Sequence, residues 1–114
     1  MKLEKFGALI KANELFDCVV MDFGPLKAKF ECERLIKQQI ASADSIAANI
    51  EEGYGRGSQK EYRHFLIIAR GSAQETRGRY GRMKHWLAPE IILQRQALCD
   101  EVIAILSKTI TTLT

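Results

Sequence analysis

The chain has 114 residues, 46% hydrophobic and 27% charged, which excludes a disordered tail, a collagen-like repeat and a low-complexity segment. No run of about 18 apolar residues occurs, which excludes a membrane-spanning helix. The net charge of +3 is small, but its distribution is not. Residues 1–53 carry 7 Lys and Arg against 9 Asp and Glu, residues 54–86 carry 8 against 2, and residues 87–114 carry 2 against 3. Nearly all the positive potential therefore sits in one contiguous segment.

The length fits a single domain, residues 1–114. The first residues lack the apolar core of a signal peptide, so a cytoplasmic location is expected. Cys18, Cys32 and Cys99 are an odd number without CxxC spacing; neither a disulfide framework nor a zinc site is expected, and buried apolar thiols are.

Apolar spacing is helical throughout. A first segment, about Leu3 to Met21, puts Phe6, Leu9, Ile10, Phe16 and Val20 on its buried face; Gly24-Pro25 ends it. A second, about Lys27 to Glu52, carries Ile36, Ile40, Ala43, Ala47 and Ile50 at 4-3-4-3 spacing, with Leu35, Ile46 and Asn49 widening the stripe. Gly53 stands where a left-handed C-terminal cap is expected. Ser58-Gln59-Lys60-Glu61 reads as a capping box that opens a third segment. Its seam is Tyr62, Phe65/Leu66, Ala69, Ala73, Thr76, Tyr80, Met83 and Leu87, in a segment of about 30 residues, roughly 45 Å at 1.5 Å per residue. Pro89 opens a fourth, to about Leu113, with Leu98, Val102, Ile105/Leu106 and Ile110 as its stripe. Four such helices with short connections predict an all-α, antiparallel up-down-up-down bundle. Gly71, Gly78 and Gly81 lie inside the third helix, each costing about 1 kcal/mol relative to alanine. Close helix approach would offset that cost; the alternative is an exposed face that tolerates them.

Ser45-Ile46-Ala47-Ala48-Asn49-Ile50-Glu51-Glu52-Gly53-Tyr54-Gly55-Arg56 resembles a signature of the four-helix-bundle proteins encoded in 23S rRNA intervening sequences. Phe65-Leu66-Ile67-Ile68-Ala69-Arg70-Gly71-Ser72-Ala73-Gln74-Glu75 resembles the second signature. The family is similar to the accessory proteins of diversity-generating retroelements, which assist a reverse transcriptase. The resemblance implies an antiparallel bundle, a homopentamer, no established enzymatic activity, and a basic surface that contacts RNA, DNA or a polymerase partner. Two departures stand out. The usual Asn-Ile-Ala-Glu-Gly is Asn49-Ile50-Glu51-Glu52-Gly53 here, and Phe23-Gly24-Pro25-Leu26 replaces a Phe-Pro turn.

Arg63, Arg70, Arg77 and Lys84 fall seven residues apart, so on an ideal helix they drift by only about 20° per step and form one stripe. Arg56, Lys60, Arg79 and Arg82 flank it. Guanidinium groups grip phosphate oxygens in pairs, so such a stripe can track a nucleic-acid backbone. Arg56, Arg63, Arg70, Arg77, Arg79, Arg82 and Lys84 are the candidate nucleic-acid contacts. A solvated helix face is the plain alternative, and pairing with Glu31, Glu33 or Glu52 of a neighbouring chain is a third.

Asn49 sits beside the apolar seam, where its amide must find partners. Ser45, one turn earlier, and Glu52, Ser72 and Glu75 complete a candidate structural network that sets helix register. Phe6, Phe16, Phe30, Phe65 and Tyr80 are assigned to the core; Trp86 packs on the fourth helix, anchors a neighbouring chain or stacks a base.

Nothing points to catalysis, a cofactor or a metal. His64 and His85 are 21 residues apart, roughly 32 Å along a helix. There is no Glu-x-x-His pair for a di-iron bundle and no Walker spacing at Gly53-Tyr54-Gly55-Arg56-Gly57. Ser72 and the cysteines have no activating partner at helical spacing. The residues predict a non-catalytic bundle that binds RNA or DNA through the third helix, and the resemblance implies that it is homo-oligomeric. The alternative is a scaffold that docks a protein, a polymerase among the possible partners, without nucleic acid. No membrane contact is expected.

Overall fold

Residues 2–113 are described by a computed structural model. Four helices form: α1 Gly7–Phe23, α2 Glu33–Gly55, α3 Gln59–Arg82 and α4 Pro89–Thr112. Each packs on its chain neighbours, and α1 closes the ring against α4. Side-chain links fix the directions. Ser72 on α3 meets Ser45 on α2 while Thr76 meets the earlier Ser42. Arg63 reaches Ile110 while Arg77 reaches Asp100. Lys11 on α1 meets Glu101, and Asp22 meets Arg95. All these pairs run antiparallel, which is the expected up-down-up-down bundle, 44 × 22 × 20 Å in extent. No helix among the described residues is long and apolar enough to cross a membrane.

The face that α1 buries differs from expectation. Ala8, Leu9, Ala12, Leu15, Val19 and Phe23 point inward, whereas Ile10 and Val20 are exposed and Phe16 is half-buried. The expected face omits Leu15, Val19 and Phe23, and it omits Ala8 and Ala12. The small size of these alanines lets neighbouring helices approach, and they lie on the Leu15–Val19 line. Phe6 is buried, as expected, just before α1 begins.

The α1–α2 connection is longer than predicted. Pro25 opens a 3₁₀ turn, Gly24–Ala28, and a second turn, Phe30–Cys32, precedes α2. Leu26 and Cys32 are both buried, yet on a continuous helix they would lie about 120° apart. Breaking the helix lets both face the core. Phe30, expected inside, is left 87% exposed.

Gly53 is not a left-handed cap. Helix α2 continues to Gly55, and the positive φ falls on Gly57, at 86°. Gly53 is needed for closeness: an added Cβ would stand 2.7 Å from Cβ of Phe65 and 3.2 Å from the Tyr62 carbonyl oxygen. Gly71, by contrast, has nothing within 4 Å, and Gly78 meets only the end of Arg82. Ser58 supplies the serine half of the predicted capping box, its Oγ accepting the Glu61 N–H at 3.1 Å, while the Glu61 carboxylate lies 4.0 Å from Arg56 Nε. The long third helix ends at Arg82 and tightens into a 3₁₀ turn, Met83–His85. Trp86 follows, half-buried against the core.

Cys32 and Cys99 are fully buried. Burial pushes the Cys99 thiol up to about 12. An unfolded chain releases that proton from about pH 8.5, while the native protein retains it. Stability contributed by Cys99 is therefore complete below pH 8.5 and lost as pH rises towards 12. The expected slope is about 1.4 kcal/mol per pH unit. Urea midpoints measured from pH 8 to pH 10 should fall less steeply in Cys99→Ala than in the parent; parallel curves would refute the assignment.

Candidate nucleic-acid interface

The arginine stripe runs along the α3–α4 groove. Arg63 Nε donates to the Ile110 carbonyl at 3.3 Å, and Arg70 Nη1 donates to Ser107 Oγ at 3.2 Å. Both acceptors are neutral, and among the described residues no acidic side chain pairs with either guanidinium. Arg77 is different: it grips both oxygens of Asp100, at 2.7 and 3.4 Å, and much of its field is cancelled locally. Lys84 lies in the 3₁₀ turn beyond α3 and is exposed, so it departs from the helical line. Lys60, Arg63, His64, Ile67, Ile110 and Thr111 flank an open groove of about 650 Å³ at one end of the stripe.

The flanking cations divide. Arg82 is exposed. Arg56 lies over the Phe65 ring at 5.2 Å and pairs with Glu52 at 3.4 Å and Glu61 at 4.0 Å. Arg79 faces the other way, towards α2, and is only 7% exposed. Its Nη1 donates to Gln39 Oε1 at 2.7 Å and Ser42 Oγ at 3.1 Å. It therefore leaves the set of candidate backbone contacts, because burial removes it from any surface that a duplex could touch. Its Nε–H is buried without an acceptor, a loss of about 1–3 kcal/mol. Burial, then the charge of Arg82, lowers its pKa from the ordinary value, against a small opposite effect of Glu75.

The polar network forms in part. Asn49 Nδ2 donates to the Ser45 carbonyl at 2.7 Å and to Ser45 Oγ at 2.8 Å; Ser72 Oγ donates to Ser45 Oγ at 3.0 Å. Glu52 turns to Arg56 instead, and Glu75 is exposed. The network continues through Thr76 of the seam and through Gln39 and Ser42, which the sequence reading missed. Thr76 Oγ1 donates to the Ser72 carbonyl at 2.9 Å and meets Ser42 Oγ at 2.9 Å. Gln39 Nε2 donates to the Thr76 carbonyl at 2.9 Å. The signal was present: Gln39, Ser42 and Ile46 share one line of α2, and polar residues on a core line demand partners across the helix pair.

A second missed cluster joins three helices. Asp22 accepts from Arg95 Nε at 2.7 Å and Nη2 at 3.1 Å, and from the Tyr80 hydroxyl at 2.8 Å. Tyr80 also meets Phe23 edge to face, at 5.4 Å between ring centres. Its phenol is raised well above the ordinary range, first by burial and then by the bond to Asp22. His64 and His85 stay at opposite ends of the segment, each stacked edge-on against its following aromatic. Among the described residues, no three His, Cys, Asp or Glu side chains gather as metal ligands.

Antiparallel helices in a closed ring, joined by buried polar rungs, place the chain among four-helix-bundle proteins. The family model described as 23S rRNA-intervening sequence protein matches residues 9–108, and the chain belongs to that family. A solved structure of a protein of unknown function from the S23 ribosomal protein family, from Bacteroides thetaiotaomicron VPI-5482, has a similar fold. It superposes with a TM-score of 0.65 at 23% identity, covering 90% of this chain and 99% of that one. None of the curated proteins matches the chain.

Proposed function

We propose that this protein is a non-catalytic, homo-oligomeric accessory protein that binds RNA or DNA through the α3 basic face. One observation carries the reading. Arg63 and Arg70 are oriented by neutral acceptors on α4 and meet no acidic partner among the described residues, so they offer their charge at reduced entropic cost to a phosphate backbone. Lys60 and Arg82 extend the field on either side, and Lys84 adds to it beyond the end of α3. Arg77 contributes less while Asp100 holds it. Self-association is supported by apolar side chains left outside the bundle: Ile10, Val20 and Met21 on α1 and Leu93 near the start of α4. A pentamer is the stoichiometry proposed from the family resemblance. It would repeat the basic face five times and raise avidity. The cytoplasm is the proposed location.

The test is a titration of duplex DNA and of a folded RNA from low to physiological salt. Affinity should fall with a log–log slope of several units. Replacing Arg63, Arg70 and Arg77 together by glutamine should reduce the slope by about two or three units without lowering helix content. Asp100→Asn should strengthen binding by releasing Arg77. Absence of binding even at low salt, with an intact oligomer by light scattering, would overturn the reading and favour a protein-docking scaffold.

A further inference from the structure

We propose that the cleft between α2 and α3 binds a small free oxyanion, a carboxylate or a phosphate, with Arg79 as its charge partner. The cleft is about 350 Å³ and is lined by Gln38, Ser42, Ser45, Ser72, Glu75 and Arg79. Arg79 is more than nine-tenths buried, and all its hydrogen bonds leave from one nitrogen, Nη1. Every acceptor on that nitrogen is neutral. The other edge of the guanidinium, Nε with Nη2, is the edge by which Arg77 grips Asp100 and Arg95 grips Asp22 in this same fold. In Arg79 the Nε–H has no acceptor, and it is the one buried side-chain nitrogen or oxygen so placed among the described residues. A planar or tetrahedral oxyanion offers two oxygens at the spacing this edge requires. A neutral ligand would leave the buried charge uncompensated, and a cation would add to it.

A serine supplies a second contact. Ser45 Oγ accepts from Asn49 and from Ser72, so its own proton is directed elsewhere and can be donated to a ligand oxygen. Glu75, one turn before Arg79 and exposed at the mouth, is the opposing group: its carboxylate repels an anion and competes for the guanidinium. The size of the cleft and the depth of Arg79 favour a small ion over a polymer backbone. The proposal is therefore independent of the nucleic-acid reading.

The experiment follows the arginine Nε–H signals by NMR while sodium phosphate, and separately sodium acetate, replaces chloride at constant ionic strength. The Arg79 signal should move saturably with at least one ion. Acetate alone acting identifies a carboxylate site, and phosphate acting identifies a phosphate site. Ser45→Ala should weaken the response about tenfold, and Glu75→Gln should strengthen it several-fold. Arg79→Gln should abolish it; Ser45→Ala and Glu75→Gln keep the test decisive if that variant fails to fold. Duplex DNA should leave the Arg79 signal in place. No movement up to about 100 mM of either ion would overturn the proposal. So would a Glu75→Gln protein that melts earlier and ignores both ions, which would make Glu75 the resident partner. A signal that depends on protein concentration and not on ions would assign the edge to a second copy, and would overturn it equally.

Discussion

Replacing Arg95 by alanine is expected to cost about 3–5 kcal/mol of folding stability. The Asp22 side chain is 6% exposed and that of Arg95 13%, so little solvent remains to screen either charge. Truncating the arginine leaves a buried carboxylate with only the Tyr80 hydroxyl as a donor. That loss exceeds what the pair itself contributes, because most of it is the desolvation of the orphaned charge. The prediction therefore has a second part. Asp22→Leu with Arg95→Met and Tyr80→Phe removes every polar member together, and should be far less damaging than Arg95→Ala alone. Urea unfolding of the single and triple variants measures both. The surface pair Arg77–Asp100 is the control: with side chains 39% and 56% exposed, its loss should cost about 1 kcal/mol or less. An Arg95→Ala protein within 1 kcal/mol of the parent would show that water reaches Asp22.

The contrast between these two pairs explains how far the sequence could be read. Helix period, the Ser58 cap and the Pro89 start are local, and each was recoverable from residues within a few positions. The helix pairs were also recoverable, because short connections force neighbours to be antiparallel. Long-range polar bonds were not. Asp22 and Arg95 are separated by 73 positions, and nothing in the 19–23 stretch distinguishes an acid that will be buried from one that will be solvated. The same limit misplaced Arg79. It stands two residues from Arg77, about 200° around the helix, so the charge run that marks the basic segment spans two opposite faces. Only the packing of α2 shows that one face meets a partner helix. Conversely, Ser45 and Asn49 were legible because they are one turn apart at the edge of the apolar seam, half-buried, where such amides require partners.

Gly53→Ala is expected to destabilise the protein by about 2 kcal/mol, although alanine is the better helix former by about 1 kcal/mol. The added methyl would meet Phe65 Cβ at 2.7 Å and the Tyr62 carbonyl oxygen at 3.2 Å. Neither neighbour is a flexible side-chain end. Phe65 Cβ is bonded to the α3 backbone, so the clash is relieved only by moving α2 and α3 apart. Separation would loosen the contacts around Ile50 and Leu66, which are fully buried. Gly71→Ala supplies the opposite sign in the same fold. Gly71 is helical and exposed with nothing within 4 Å, so the substitution gains helix propensity and restricts the unfolded chain. A stabilisation of about 0.4–1 kcal/mol is expected. Urea midpoints of the two variants should therefore fall on opposite sides of the parent. Equal midpoints would mean that the α2–α3 corner yields, and that Gly53 is not what sets the distance between these helices.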